Sequence, residues 1–213
     1  TRLHSQTECH LPGFYMIRSD KNTNDSTSGG SAILLQNNWD AIPIPSLTES
    51  QNGFESVGVI AASPGCKPIK LMCIYNHPQH HIPQHLFNEF SNTTCNNKNI
   101  YGFIGGDLNC PHEAFGSRFT NVYGTYLFNY VNAANLYVID NQEPTTFHRG
   151  EPNILDLFIC EPNSIPLVQR CFVGESIGSD HLPLIIHIKL NSSHTNHCRQ
   201  FTRKIFENEE FKQ

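Results

Sequence analysis

The chain predicts an α/β or α+β domain built on packed sheets with helices outside. Three observations carry that expectation. Short apolar runs of strand character outnumber helical ones. Polar clusters stand where those runs end, at Gly105-Gly106-Asp107-Leu108-Asn109 and at Gly178-Ser179-Asp180-His181. The 213 residues, 38% of them apolar, suit one domain with a substantial core, expected over 1–190, followed by a linker or tail over 191–213.

Taken in order, Leu11-Pro12-Gly13-Phe14-Tyr15 reads as a turn into a strand through Arg18, and 20–30 as a polar loop. Ser31 to Gln36 is the next strand. The Pro43 and Pro45 segment reads as a connection to a strand over Glu55 to Ala62, where Val57, Val59 and Ala61 alternate. Ile69 to Tyr75 is a further strand, with Ile69, Leu71 and Cys73 on one face and Tyr75 at its end. The His-rich stretch from His77 to His85 invites a metal reading, but its two prolines and lack of nearby acidic or cysteine partners favour a loop. Pro83 suits the first turn of a helix carrying Leu86, Phe87 and Phe90.

Ile100 to Gly106 is the central strand, and Leu108 should turn back into the core while Asp107 and Asn109 project to one side. The same Gly-Asp-x-Asn is also ordinary turn composition. Leu127, Tyr130, Val131 and Ala134 follow helical spacing within 123–135. Leu136 to Ile139 is a strand, Thr145 to Gly150 a hairpin-like segment, and Ile154 to Cys160 a strand with one carboxylate in an apolar run. A buried Asp156 requires a partner, and His181 is the candidate. Val168 to Phe172 and Leu184 to Leu190 complete the strands.

Composition narrows the function. With 14 Lys+Arg against 19 Asp+Glu the net charge is −5, so phosphate binding must be local rather than a global basic field. The eight cysteines form no Cys-x-x-Cys pair, which argues against structural zinc and for reduced thiols. No apolar stretch approaches membrane-spanning length, and the sequons at Asn24, Asn92 and Asn191 carry little weight without a leader segment, so a secreted or membrane placement is not expected.

Tyr75 in Ile-Tyr-Asn-His-Pro, Gly105-Gly106-Asp107-Leu108-Asn109, Leu155-Asp156-Leu157 and Gly178-Ser179-Asp180-His181-x-Pro together resemble, in order, the motifs of the endonuclease/exonuclease/phosphatase superfamily. Within it, Thr1-Arg2-Leu3 ahead of Leu11-Pro12-Gly13-Phe14, Gly29-Gly30-Ser31-Ala32, Asn121-x-x-Gly124 and Glu143-Pro144-Thr145 are similar to the apurinic-endonuclease-like domain of non-LTR (LINE-type) retrotransposons.

The resemblance implies a four-layered α/β sandwich and Mg²⁺- (or Mn²⁺-) dependent nicking of DNA to a 3′-hydroxyl. It further implies a downstream reverse transcriptase domain as partner, and nuclear action after cytoplasmic synthesis. It assigns Asp107 to the attacking water, Asn109 and Tyr75 to phosphate contact, His181 oriented by Asp156 to a phosphoryl oxygen, and Asp180 to the metal. The family's first strand supplies an asparagine, and its second ends in a metal-binding glutamate just before a threonine. Because this chain begins at that threonine, both residues and the first strands are expected to be missing, with Glu8 a poor substitute and weak or no activity for residues 1–213 alone. A phosphatase of the same superfamily acting on a lipid or small phosphoester, and a non-catalytic DNA-binding remnant, are the alternatives. Arg118 and Arg149 are possible phosphate contacts.

Overall fold

The computed structural model describes residues 10–20, 29–51, 53–95, 100–139, 141, 143–148 and 151–190. The expectations for Thr1 to Glu8, Asn24, Arg149, Asn191 and the tail lie outside the described residues.

The first elements are β1 (Phe14–Ser19) and β2 (Ser31–Gln36), antiparallel from Phe14↔Gln36 to Ser19↔Ser31. Strand alternation turns Tyr15, Ile17, Ile33 and Leu35 inward. The segment expected as a connection instead forms β3 (Asp40–Pro43) and β4 (Glu49–Gln51), both paired antiparallel with β5 (Phe54–Ala62). Its prolines do not prevent this, because β3 is an edge strand and needs no hydrogen bonds on its outer side. Every residue of β5 is buried, so the strand is covered on both faces.

β6 (Ile69–Asn76) leads through α1 (Gln84–Cys95) to β7 (Tyr101–Asp107), and β6–β7 is the parallel pair of the main sheet. α2 (Val122–Ala133) is capped by Asn121, whose side chain accepts the Gly124 N–H at 2.7 Å. A Cβ at position 124 would meet the Pro111 carbonyl oxygen at 2.0 Å, so Asn121-x-x-Gly124 is at once a cap and a close packing contact. Then follow β8 (Tyr137–Ile139), the hairpin of β9 (Thr146–His148) and β10 (Glu151–Asn153), β11 (Asp156–Cys160), and the antiparallel pair β12 (Val168–Val173) and β13 (Leu184–Ile188).

The seven-stranded sheet runs β3-β5-β6-β7-β11-β8, with β4 also on β5. One face carries α1 and α2, where Leu86, Phe87, Phe90, Leu127 and Val131 pack with Met72, Ile74 and Ile104. The other carries β1–β2 over Val57, Val59 and Ala61, and β12–β13 over Phe103 and Cys160. This is the expected mixed α/β sandwich of sheet on sheet with helices outside, and both described helices lie on one outer face. Lys70 is fully buried under α1, paired with Glu161 at 3.3 Å and hydrogen-bonded to the Phe90 carbonyl. Cys66, Cys73, Cys110, Cys160 and Cys171 are free thiols.

Candidate active site

Three strands end or begin at one edge of the main sheet, and their register sets the site. Tyr75 closes β6 opposite Asp107 at the end of β7, and Asp107 pairs with Asp156 at the start of β11. Residues in register share a face, so the phenol and two carboxylates form one polar row across three neighbouring strands. Gly106 makes this approach feasible: its φ is +145°, and a Cβ there would meet the Ile74 carbonyl oxygen at 1.9 Å.

Beyond Asp107 the chain leaves the pleat. Leu108 is fully buried, as expected, but Asn109 adopts a left-handed φ of +47°. Its N–H donates to Asp107 Oδ1 at 3.2 Å and its amide to the Asn76 carbonyl at 2.8 Å. Asp107 and Asn109 are therefore brought together by an Asn-compatible turn rather than by strand alternation, and the turn reading and the site reading describe one feature. Asn76 fastens this turn to β6, its side chain donating to the Leu108 carbonyl at 3.0 Å. Nothing in the sequence marked Asn76 beyond its place at a strand break.

His181 arrives from the loop between β12 and β13. Its Nδ1 lies 2.7 Å from Asp156 Oδ2, and its Nε2 lies 3.8 Å from Asp107 Oδ2. The imidazole thus sits between two carboxylates. Hydrogen bonding to Asp156 pushes the His181 pKa up to about 9 against the opposing effect of burial. Burial, and then the charge of Asp156, pushes the Asp107 carboxyl up to about 7, with His181 and Asn109 opposing. A carboxyl near 7 beside a cationic imidazole is a poised acid–base arrangement.

The segment read from the sequence as hairpin-like is the β9–β10 hairpin, and at its start it carries a clip that the sequence did not show. Thr145, fully buried, accepts the N–H groups of Leu155 and Asp156 at 3.2 Å each through its hydroxyl, while its carbonyl accepts the Leu182 N–H at 2.7 Å. Thr146 bridges to His181 and donates to the Asp180 carbonyl at 3.2 Å. Two adjacent threonines therefore hold Asp156 and His181 to each other.

These groups line a cleft of about 520 Å³, shared by Tyr75, Asp107, Asp156, Asp180 and His181. Asp107, Asp156 and His181 form a cluster whose ligand atoms lie within 4.8 Å of one another; Asp180 stands at the rim and outside that cluster. The imidazoles of the His77 to His85 stretch disperse instead. His85 faces Glu49 at 2.7 Å, His81 packs on Tyr123 and Tyr126, and His77 faces Glu55. Arg118 is engaged by Glu151.

A two-sheet sandwich that gathers carboxylates, a carboxylate-bound histidine and a tyrosine at strand ends defines the endonuclease/exonuclease/phosphatase class of hydrolase folds. The chain belongs to the family described as endonuclease-reverse transcriptase, whose model matches residues 69–185. It is 22% identical over 178 residues (81% of this chain, 18% of the relative) to a probable RNA-directed DNA polymerase from transposon BS of Drosophila melanogaster. To the corresponding protein of transposon X-element from the same fly it is 25% identical over 197 residues (85% and 20%). The chain thus spans about a fifth of the length of these relatives. In structure it is similar to the endonuclease domain of TRAS1, a telomere-specific non-LTR retrotransposon, with a TM-score of 0.65 at 22% identity over 84% of this chain and 80% of that one. No helix among the described residues is long and apolar enough to cross a membrane.

Proposed function

We propose that this chain nicks DNA as a divalent-metal-dependent endonuclease. It would hydrolyse one phosphodiester and leave a 3′-hydroxyl for a reverse transcriptase carried downstream in the parent polypeptide, acting in the nucleus on chromosomal DNA. The observation that carries this reading is the His181 imidazole bracketed by Asp156 and Asp107 in the cleft that Tyr75 shares. The transposon polymerase relatives and the likeness to a retrotransposon endonuclease domain support it.

The donor set fits Mg²⁺ or Mn²⁺. Asp107 and Asp156 offer hard carboxylate oxygens within 4.8 Å of each other, and Asp180 lines the same cleft. Bound there, the ion supplies charge relief on the phosphoryl oxygens and a more acidic water. The chain's own groups do the rest. Asp107 accepts a proton from the attacking water, while Asn109, whose N–H donates to Asp107 Oδ1 and whose amide is held by the Asn76 carbonyl, orients that carboxylate. His181, with Nδ1–H donated to Asp156, directs Nε2–H toward a phosphoryl oxygen as charge develops. Tyr75 donates its phenol to the phosphate or to the leaving oxygen.

The test is nicking of supercoiled plasmid in Mg²⁺ by the domain within its parent polypeptide, beside Asp107→Ala and His181→Ala. Each variant is expected to lose about 10²- to 10⁴-fold in rate. Release of phosphate from a lipid or small phosphoester with plasmid untouched would overturn the endonuclease reading.

A further inference from the structure

The polar row does not stop at Tyr75. On the next strand, Glu55 pairs with Tyr75 in antiparallel register, so its side chain leaves the sheet on the face that carries Asp107 and Asp156. Glu55 is only 1% exposed, and its Oε2 accepts no hydrogen bond. A buried carboxylate oxygen without a hydrogen bond is costly, and an apolar side chain at this position would avoid the cost. The group facing it is His77 Nε2, 3.5 Å away, itself buried and without a hydrogen-bond partner. His77 is held by its backbone, whose N–H donates to the Gly53 carbonyl at 2.8 Å, and by its ring, 5.0 Å from that of Tyr75. The rest of its side chain reaches the surface, 20% exposed. Two carboxylate–imidazole pairs therefore flank the Tyr75–Asp107 centre, Asp156–His181 on one side and Glu55–His77 on the other.

We infer that His77, oriented and charge-balanced by Glu55, binds a non-scissile phosphate of the nucleic-acid strand whose scissile phosphate lies at His181. The inference rests on the endonuclease reading and extends it along the substrate. Adjacent strands lie about 4.8 Å apart, so β5 to β11 span roughly 14 Å of sheet edge. A DNA strand carries one charge per about 3.4 Å of helix axis, so a strand laid across that edge brings further phosphates past Tyr75 toward His77. With a chain charge of −5, such contacts have to be made by individual side chains. A metal site does not fit the same pair: one carboxylate and one imidazole face each other, and among the described residues no third ligand group joins them.

The experiment is fluorescence anisotropy of a labelled duplex titrated with the full chain in EDTA, which prevents cleavage, at several salt concentrations and one fixed pH of about 6. Loss of one phosphate contact lowers the slope of log K against log salt by about 0.9. That decrease is expected for His77→Ala and for His77→Gln, on unrelated sequences alike, with His77→Lys restoring the wild-type slope. Glu55→Gln should weaken binding without adding to the effect of His77→Ala. A wild-type slope kept by His77→Gln, or not regained by natively folded His77→Lys, would overturn the inference and leave the endonuclease reading standing. Absence of salt-dependent binding by the wild-type chain would overturn both.

Discussion

Asp107 and His181 each hold a proton more tightly in the fold than an ordinary side chain of their type, and that ties the stability of the metal-free protein to pH. His181 is raised from 6.5 to about 9, so its contribution is complete below about 6.5 and is lost as pH climbs through about 9. Asp107 is raised from 3.8 to about 7, so the folded state keeps a proton the unfolded chain has released, and stability falls across that interval too. Both signs agree. In EDTA the melting temperature should decline from about pH 5 to about pH 9, and Asp156→Asn should flatten the upper part of the decline. A flat wild-type profile would show that the two groups are not so held. Asp107, Asn109, Asp156 and His181 were legible in the sequence because each interrupts or ends an apolar run. Glu55 was not: it opens a strand as polar residues often do, and only pairing across β5 and β6 sets it beside Tyr75.

Between single groups and the whole fold, the β9–β10 hairpin decides whether the site is assembled. Thr145 fills two donors at the start of β11 and one in the His181 loop, so Thr145→Val leaves two buried N–H groups unpaired while keeping shape. The expected cost is about 1–3 kcal/mol in urea denaturation. The expected loss of nicking rate is about 10- to 100-fold, as for other orienting partners of site groups. Thr145→Ser, which keeps the hydroxyl, should behave like wild type in both assays, and a Ser variant as impaired as Val would assign the effect to packing. The sequence showed this segment as hairpin-like but not the clip, because threonine pairs beside proline read only as local structure. β3 and β4 were missed for a related reason. Proline argues against a central strand, and nothing local tells an edge strand from a connection.

At the scale of the molecule, an acidic chain gathers further negative charge at one sheet edge, and a cation bound there should stabilise the fold by mass action. At constant ionic strength, Mg²⁺ is therefore expected to raise the melting temperature at neutral pH, and Asp107→Asn to abolish most of the rise. An equal rise in that variant would place the ion elsewhere. The sandwich and most of its strands were readable from periodicity, but the sheet order was not, because it depends on pairings between segments far apart in the chain. The position of β8 shows this best: it precedes β11 in sequence yet lies outside it, with β11 inserted between β7 and β8. As the polypeptide emerges from the ribosome, β7 and β8 must each wait with an open edge until 156–160 arrives, and His181 is made later still. On the proposed function, a nascent chain consequently has no competent cutting centre until the His181 loop exists. In that interval the danger it presents to its host is clumping, and any cleavage of DNA belongs, on that reading, to the finished product alone.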